Sequence, residues 1–155
     1  MMYYVNLLPE DHPTDTKQFF KGGRFDTVTI HWTGDQFQQT PEVVRNWWQS
    51  QKNGAAAHFI IKDNVCLQCI PPYKTAFHCG DPVGNRTSLG IEVIPYDKTG
   101  IFSAQSRQTL KDLLSCFPPV PILRHYDWTQ KECPKFYIDE EKWKQLKLAI
   151  QPDSW

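Results

Sequence analysis

Short strand-like segments alternate with helix-like segments along this chain of 155 residues. The clearest strand covers residues 25–32, where apolar and polar side chains alternate with a period of two. Val28, Ile30 and Trp32 share one face of this strand, and His31 lies on the opposite, polar face. A chain of this length suits one domain. Strands that alternate with helices predict an α/β domain whose central sheet is covered on both faces.

The remaining strands and helices are predicted from the same apolar patterns and from helix caps. Strands are expected at 58–61, 65–70, 87–95 and 122–124. A first helix opens with Thr40 as its cap and Pro41 as its first residue. Its apolar stripe should contain Val43, Val44, Trp47 and Trp48. Two further helices should bury Leu110, Leu113, Leu114 and Phe117 after a cap at Ser103, and Trp143, Leu146 and Ile150 after a start near Asp139.

The charge balance argues against some classes of partner. Seventeen Lys and Arg residues match seventeen Asp and Glu residues, so nothing points to nucleic acid or an anionic membrane as the main partner. No apolar run approaches the roughly 18 residues that span a bilayer, so no membrane insertion is expected. The first ten residues lack the basic and apolar regions of a secretory signal, and we therefore expect synthesis in the cytoplasm.

The five cysteines are expected to be free thiols, because their number is odd and the reducing cytoplasm disfavours disulfide bonds. Cys66 and Cys69 form a C-x-x-C pattern inside a predicted strand. An offset of three residues in a strand places two side chains on opposite faces of the sheet. Redox-active pairs favour a helix N-terminus instead, so we interpret this pair as structural.

Two histidines and one cysteine are candidates for a metal site. His31 lies near the end of a strand, His125 follows a short strand, and Cys133 comes eight residues later. Alone, each would most often be a hydrogen-bonded histidine or a small buried cysteine. Two imidazoles and a thiolate together form a known catalytic zinc set, which leaves the fourth position open. Spacing alone supports this set weakly, because His31 is far from the other two in sequence.

A carboxylate and a lysine could add catalytic groups to such a site. Glu92 lies on the polar face of an otherwise apolar strand, where it could either pair with an Arg or accept a proton from a water in the cleft. Gly90 on the same face leaves room for a ligand. Lys131 lies two residues before Cys133, and near a metal its ammonium group could stabilise an oxyanion.

Five segments occur in a characteristic order: 30–34 (IHWTG), 57–63 (AHFIIKD), 76–80 (AFHCG), 88–93 (SLGIEV) and 124–134 (RHYDWTQKECP). Together they resemble the type 2 N-acetylmuramoyl-L-alanine amidases, a family that includes phage endolysins, bacterial autolysins and the peptidoglycan recognition proteins of animals. The resemblance extends from about residue 25 to residue 137. Residues 7–13 (LLPEDHP) also resemble the N-terminal segment of phage and Gram-positive members.

The resemblance implies a mixed sheet flanked by helices and one Zn²⁺ ion in a cleft. By matching motifs, the zinc ligands would be His31, His125 and Cys133. Glu92 would be the catalytic glutamate, and Lys131 would polarise the scissile carbonyl. Some phage members carry a catalytic Tyr at the position of Ala57, so the Tyr-dependent variant is not expected here. Residues expected to contact substrate are His78, Trp32 and Trp128, and a structural role for His78 is as plausible.

The family reaction is hydrolysis of the amide between N-acetylmuramic acid and L-alanine in bacterial peptidoglycan. The expected partner is therefore peptidoglycan, both its glycan strand and its stem peptide. We expect residues 1–24 to form a segment that packs on the domain, residues 25–150 to form the zinc amidase, and residues 151–155 to form a short tail without a separate wall-binding domain. A phage or prophage endolysin that reaches the wall after release is the favoured context.

Two other functions remain open on the sequence. Some members of this fold bind peptidoglycan without cutting it, although these typically lack the cysteine ligand that Cys133 would supply. A thiol hydrolase could use Cys133 with His125, but it would leave His31, Glu92 and Lys131 without roles. A chelator would stop a zinc amidase and spare a thiol enzyme.

Overall fold

A mixed sheet of six strands lies at the centre of the computed structural model, which describes residues 1–14 and 18–155. The strands are β1 (Met2–Val5), β2 (Thr27–Trp32), β3 (Phe59–Lys62), β4 (Val65–Gln68), β5 (Ser88–Val93) and β6 (Ile122–Arg124). Their order across the sheet is β1-β4-β3-β5-β2-β6. β3 and β4 form an antiparallel hairpin, and all other neighbouring strands are parallel. The predicted α/β class with a mixed central sheet is confirmed.

Five α-helices connect and cover the strands of the described chain. They are α1 (Pro41–Ser50), α2 (Pro82–Thr87), α3 (Ala104–Leu114), α4 (His125–Thr129) and α5 (Glu140–Ile150). Short 3₁₀ turns cover Lys21–Gly23 and Lys135–Tyr137. Side-chain oxygens of Thr40, Asp81, Ser103 and Asp139 accept hydrogen bonds from the first turns of α1, α2, α3 and α5. These caps satisfy backbone N–H groups that have no partner inside the helix, and so fix where each helix begins.

One face of the sheet carries the larger core. α3 and α5 pack on it through residues that the helical pattern predicted to be buried: Leu110, Leu113, Leu114, Trp143, Leu146 and Ile150. The sheet contributes the apolar sides of β2 and β5 to this core: Val28, Ile30, Leu89, Ile91 and Val93. Because side chains alternate along a strand, the polar sides of β2 and β5 must point to the opposite face.

On the opposite face, the long helix α1 covers only one half of the sheet. α1 packs over β3 and β4 through Val44 and Trp48. Val43 and Trp47 were predicted to share this stripe, but they are 49% and 56% exposed. The prediction was wrong for this pair because a helix lying on a flat sheet buries only one narrow stripe. The polar sides of β2 and β5 lie beside α1, where α2, α4 and His78 cover them and leave Glu92 partly exposed.

Three described elements were not predicted. β1 was missed because all of its side chains are exposed, so no polar–apolar alternation marks it, and its backbone pairs with β4. α2 and α4 are too short to show a helical period. The strand predicted at 87–95 begins at Ser88, because Thr87 ends α2.

The two cysteines of the C-x-x-C pattern lie on opposite sides of the sheet, as predicted. Cys66 belongs to the core under α3 and α5, and Cys69 belongs to the cluster under α1. Burial raises the pKa of both thiols to about 12, which suits structural cysteines. Within residues 1–14 and 18–155, no helix combines the length and apolar character needed to cross a bilayer.

Candidate metal centre and active site

The candidate site lies where three parallel strands end at the same edge of the sheet. His31 and Glu92 occupy the next-to-last positions of β2 and β5 and are partners in the register of these strands. β6 ends at Arg124 on the other side of β2, and His125 follows at once as the first residue of α4. Parallel pairing therefore gathers side chains that are about a hundred residues apart in sequence, as the carboxyl edge of a parallel sheet generally does.

Arg124 fixes the position of α4. Its backbone N–H donates to Asp127 Oδ2 at 2.7 Å, and its guanidinium binds Asp127 and Glu140 at 2.7 and 2.9 Å. The same guanidinium donates to the backbone carbonyl of Tyr137 at 3.0 Å. Arg124 is only 4% exposed, so these bonds hold the start of α4, and hence His125, against the core.

His31, His125 and Cys133 converge beside a cleft that Cys133 lines, and all three are buried. The Nδ1 atoms of the two histidines are 3.1 Å apart, and Cys133 Sγ lies 3.7 Å from His31 Nδ1. The backbone N–H of Trp32 points to Cys133 Sγ at 3.5 Å. The three predicted ligand atoms thus meet within a volume that one ion would fill.

These distances fit zinc. Tetrahedral Zn²⁺ with Zn–N near 2.0–2.1 Å and Zn–S near 2.3 Å holds two nitrogens about 3.3 Å apart and a nitrogen and a sulfur about 3.6 Å apart. Burial lowers the pKa of His31 well below its usual value and lowers that of His125 to about 4, so both rings are neutral, as ligands must be. Burial raises the pKa of the Cys133 thiol to about 12, and only a bound cation would reverse that cost.

Glu92 and Lys131 line the cleft next to Cys133. Glu92 is half-buried, and its Oε2 atom is shielded from solvent without a hydrogen-bond partner. Burial raises the pKa of this carboxyl to about 8, and the positive charge of Lys131 opposes the rise. A carboxylate with a free oxygen in a cleft is suited to accept and return a proton.

The cleft has a volume of about 480 Å³ and runs from Cys133 towards α1. Its walls include Trp32, Gln36, Gln39 and Trp47. Lys62 holds the loop between β2 and α1 in place by donating to two of its carbonyls, at 3.0 Å to Phe37 and 2.7 Å to Gln39. Apart from Glu92 and Lys131, the residues that line this cleft are uncharged, and several are aromatic.

The structure places the three expected substrate residues differently. Trp32 lines the cleft. Trp128 donates from Nε1 to Thr29 Oγ1 at 2.9 Å and packs its ring against Gly84 of α2. His78 lies beneath His31, with Nδ1 at 2.9 Å from His31 Nε2.

Gly90 was expected to leave room for a ligand, but the ring of His78 takes that room. A Cβ atom at Gly90 would lie 2.7 Å from His78 Cγ and Nδ1. The absence of a side chain at Gly90 therefore makes room for the ring of His78 and not for a ligand. Ala57, at the position of the catalytic Tyr in some phage amidases, is buried and carries no phenol.

Three cleft residues were not predicted from the sequence: Trp47, Gln36 and Gln39. The sequence pattern could have identified one of them, Trp47. Trp47 and Trp48 are adjacent on a helix, where neighbouring residues point about 100° apart, so a single stripe could not bury both rings fully. The two glutamines lie in a loop, which carries no periodic signal.

Comparison with known proteins places the chain among amidases. A family model described as N-acetylmuramoyl-L-alanine amidase matches residues 21–136. The N-acetylmuramoyl-L-alanine amidase CwlA of Bacillus subtilis (strain 168) is 28% identical over 136 residues, which cover 81% of this chain and 49% of CwlA. XlyB of the same organism, with the same described activity, is 27% identical over 138 residues, which cover 81% of this chain and 42% of XlyB.

The chain thus spans less than half the length of these curated relatives. Among solved structures, that of PlyL superposes with a TM-score of 0.76 at 23% identity and covers 97% of this chain and 96% of PlyL. At this level of identity the agreement establishes a shared fold.

Proposed function

The chain belongs to the N-acetylmuramoyl-L-alanine amidase family, and we propose that it hydrolyses the amide between N-acetylmuramic acid and L-alanine in bacterial peptidoglycan. The observation that carries this proposal is the convergence of His31, His125 and Cys133 at one point, with Cys133 and Glu92 lining the same cleft. The site supplies three ligand atoms and also the Oε2 atom of Glu92, which has no hydrogen-bond partner within the protein.

The metal proposed for this site is Zn²⁺, held by His31 Nδ1, His125 Nδ1 and Cys133 Sγ. When bound, zinc supplies a Lewis acid that lowers the pKa of water and polarises a carbonyl. A set of three protein ligands is typical of catalytic rather than structural zinc sites. The same set argues against a protein that binds peptidoglycan without cutting it, because binding alone would not require the third metal ligand, Cys133.

Glu92 is the proposed proton carrier. Its carboxylate accepts a proton from the attacking water and then gives that proton to the leaving amine of L-alanine, so that one carboxyl and one amine form and the glutamate is restored. The unpaired Oε2 atom and the raised pKa of Glu92 support this role, because the group binds and releases a proton near neutral pH. Lys131, on the same cleft wall, would place its ammonium group by the carbonyl oxygen as negative charge develops there.

Trp32 is the proposed substrate contact among the three residues expected from the sequence, since it lines the cleft. Trp128 and His78 make their polar contacts within the protein, and we assign them to the support of the site. Residues 25–150 are the proposed catalytic region, with residues 1–24 adding β1 to its sheet. An endolysin-like action on the bacterial wall follows from this substrate.

The test is digestion of purified sacculi followed by mass spectrometry of the soluble fragments. The expected products are glycan strands with intact lactyl groups and stem peptides with a free L-alanine N-terminus. New reducing sugar ends or cleaved cross-links would contradict the proposed bond. Binding to sacculi without release of fragments would identify a binding module. Turnover that survives removal of the metal by a chelator would favour the thiol hydrolase, and a Glu92→Gln variant serves as the inactive control.

A further inference from the structure

A chain of hydrogen bonds leads from the backbone of β5 through His78 to His31. His78 Nε2 lies 2.8 Å from the carbonyl oxygen of Ser88, and a carbonyl can only accept, so Nε2 carries the proton and donates. In a neutral ring, Nδ1 of His78 is then an acceptor. It faces His31 Nε2 at 2.9 Å, which must therefore be the donor. His31 is left with its lone pair on Nδ1.

That lone pair points at the centre of the candidate metal site. His31 Nδ1 is the atom that lies 3.1 Å from His125 Nδ1 and 3.7 Å from Cys133 Sγ. The opposite tautomer of His31 would put a hydrogen where a metal must bind. The contact with His78 thus decides whether His31 is a ligand.

His78 is itself held rigidly in this position. Its ring covers Gly90 so closely that any side chain there would collide with it. Its backbone N–H donates to Asn85 Oδ1 at 2.9 Å, and the N–H of Cys79 donates to the same oxygen at 2.8 Å. The ring is therefore fixed by its backbone, by its packing on Gly90 and by the contacts of both ring nitrogens.

The same short segment also orients the second histidine ligand, because the ring of His125 hydrogen-bonds to the backbone of Cys79. A carbonyl partner on one ring nitrogen leaves the other nitrogen free for a metal. Residues 78 and 79 thus contact both imidazoles from the side away from the cleft. His31 differs from His125 in that its partner is a side chain, which mutation can remove.

We propose that His78 is a positioning residue that fixes His31 as the tautomer with a free Nδ1 lone pair and thereby sets the affinity of the site for zinc. This inference rests on the metal centre of the proposed function. Groups that orient metal-bound histidines typically change metal affinity by about 10–100-fold when removed. His78 touches neither the cleft cavity nor the expected position of the scissile bond, so its effect passes through His31.

The test measures zinc affinity of the metal-free full chain by competition with a chromophoric chelator. His78→Phe keeps the ring volume and removes the acceptor, so we expect zinc to bind about 10–100-fold more weakly. His78→Asn places an amide oxygen near the position of Nδ1 and should bind zinc more tightly than the Phe variant. His12→Gln is the matched control, because it changes a buried histidine whose Nε2 lies 2.8 Å from the carbonyl of Trp48, outside the link between His78 and His31. Its zinc affinity should equal that of the wild type.

A second measurement does not depend on any variant folding. Nitrogen-15 spectra of the histidines in the metal-free wild type should show His31 protonated at Nε2 alone. Protonation of His31 at Nδ1 would overturn the proposal, as would wild-type affinity in folded His78→Phe. Two zinc ions per chain, reduced to one in Cys79→Ala, would make His78 a ligand of a second site with His31 and Cys79 and would also overturn it. Each of these outcomes would overturn the role of His78 without contradicting the proposed function. A wild-type protein that binds no zinc would contradict both.

Discussion

At the scale of single residues, the cleft separates side chains that bind a metal from side chains that move a proton. His31, His125 and Cys133 are buried, and burial favours the neutral imidazoles that coordinate metals, whereas the Cys133 thiol must lose its proton to become a ligand. Glu92 is half-buried, and its Oε2 atom is one of two buried side-chain oxygens in the described cleft lining that have no hydrogen-bond partner, the other being Thr33 Oγ1. The two tasks fall to different residues, so they can be changed separately.

Glu92→Gln should keep zinc and the fold but lose most of its turnover. The amide has nearly the size of the carboxylate, so packing survives, but it cannot accept a proton at neutral pH. We expect kcat to fall by about 10²–10⁴-fold, more than KM rises. Rates are compared at equal zinc occupancy, with Glu42→Gln, an exposed carboxyl in the first turn of α1, as the control. A decrease below about tenfold would remove Glu92 from the proton-transfer role.

The stability of the metal-free protein should report the raised pKa of Glu92. Burial moves this pKa from 4.5 to about 8 in the folded chain. Between these values the folded chain binds more protons than the unfolded chain, so the free energy of unfolding falls as the pH rises. The Glu92→Gln variant has no titrating carboxyl at this position, so it lacks this pH-dependent contribution to the free energy of unfolding.

Urea denaturation of both metal-free proteins at a series of pH values checks this expectation. The stability of the variant relative to the wild type should increase steadily from about pH 4.5 to about pH 8 and then level off. Other groups titrate in both proteins and cancel in the difference. A difference that does not change with pH would mean that Glu92 is ionised in the folded chain throughout.

At the scale of secondary-structure elements, α1 has two separate functions. Its inner stripe, with Val44 and Trp48, covers half of the sheet, and its outer side presents Trp47 to the cleft. The loop that leads into α1 is tied to β3 by Lys62. One helix thus stabilises the fold and forms one wall of the cleft; Trp48 is buried and contributes to both, whereas Trp47 contributes an exposed ring to the wall.

Trp47→Ala should weaken substrate binding without unfolding the protein. Trp47 is 56% exposed, so its removal costs little core, whereas substrate would cover the exposed half of the ring. Covering about 40 Å² of that exposed surface contributes roughly 1 kcal/mol, which corresponds to about a fivefold rise in KM with little change in kcat.

The adjacent Trp48→Ala provides the contrast. Trp48 is 4% exposed, and its loss should destabilise the fold by about 3–5 kcal/mol. Thermal unfolding and steady-state kinetics of both variants distinguish the two roles. Unchanged KM in Trp47→Ala would place the substrate away from α1.

At the scale of the whole molecule, the metal site joins parts of the chain that are distant in sequence. His31 belongs to β2, His125 begins α4, and Cys133 lies in the loop after α4. Their side chains meet only when β2, β5 and β6 pair in parallel. A metal bound at this point is bound by the folded chain and not by the unfolded one, so its binding free energy adds to the stability of the fold.

Zinc should therefore raise the unfolding temperature of the metal-free protein and bind with a stoichiometry of one per chain. Free zinc at about 100 times Kd contributes about 2.7 kcal/mol. His125→Ala should lose both the bound zinc and the shift. His12→Gln is the control, because His12 is a buried histidine that caps α1 away from the site, at 2.8 Å from the carbonyl of Trp48.

Thermal scans with zinc and with chelator, combined with elemental analysis, measure both quantities. The His12 variant should be less stable than the wild type under both conditions and keep the same zinc-induced shift. Full zinc content in His125→Ala would refute the ligand assignment.

The sequence by itself determined which sides of β2, β5, α3 and α5 are apolar. Alternation in β2 and β5 set His31 and Glu92 on polar faces, and the stripes of α3 and α5 marked the residues that became buried. These features depend on the geometry of neighbouring residues along one element, which the order of amino acids encodes directly. The ligand set itself was suggested by a family resemblance, since spacing alone supported it weakly.

Only the tertiary structure decided which polar faces meet. In the sheet, β2 lies between β5 and β6, although these three strands are far apart in sequence. No local sequence pattern encodes which strands become neighbours. The same holds for His78, whose contact with His31 depends on a loop that folds back over Gly90. Burial on the sheet also selected Trp48 over Trp47, because one flat surface can cover only one stripe of a helix.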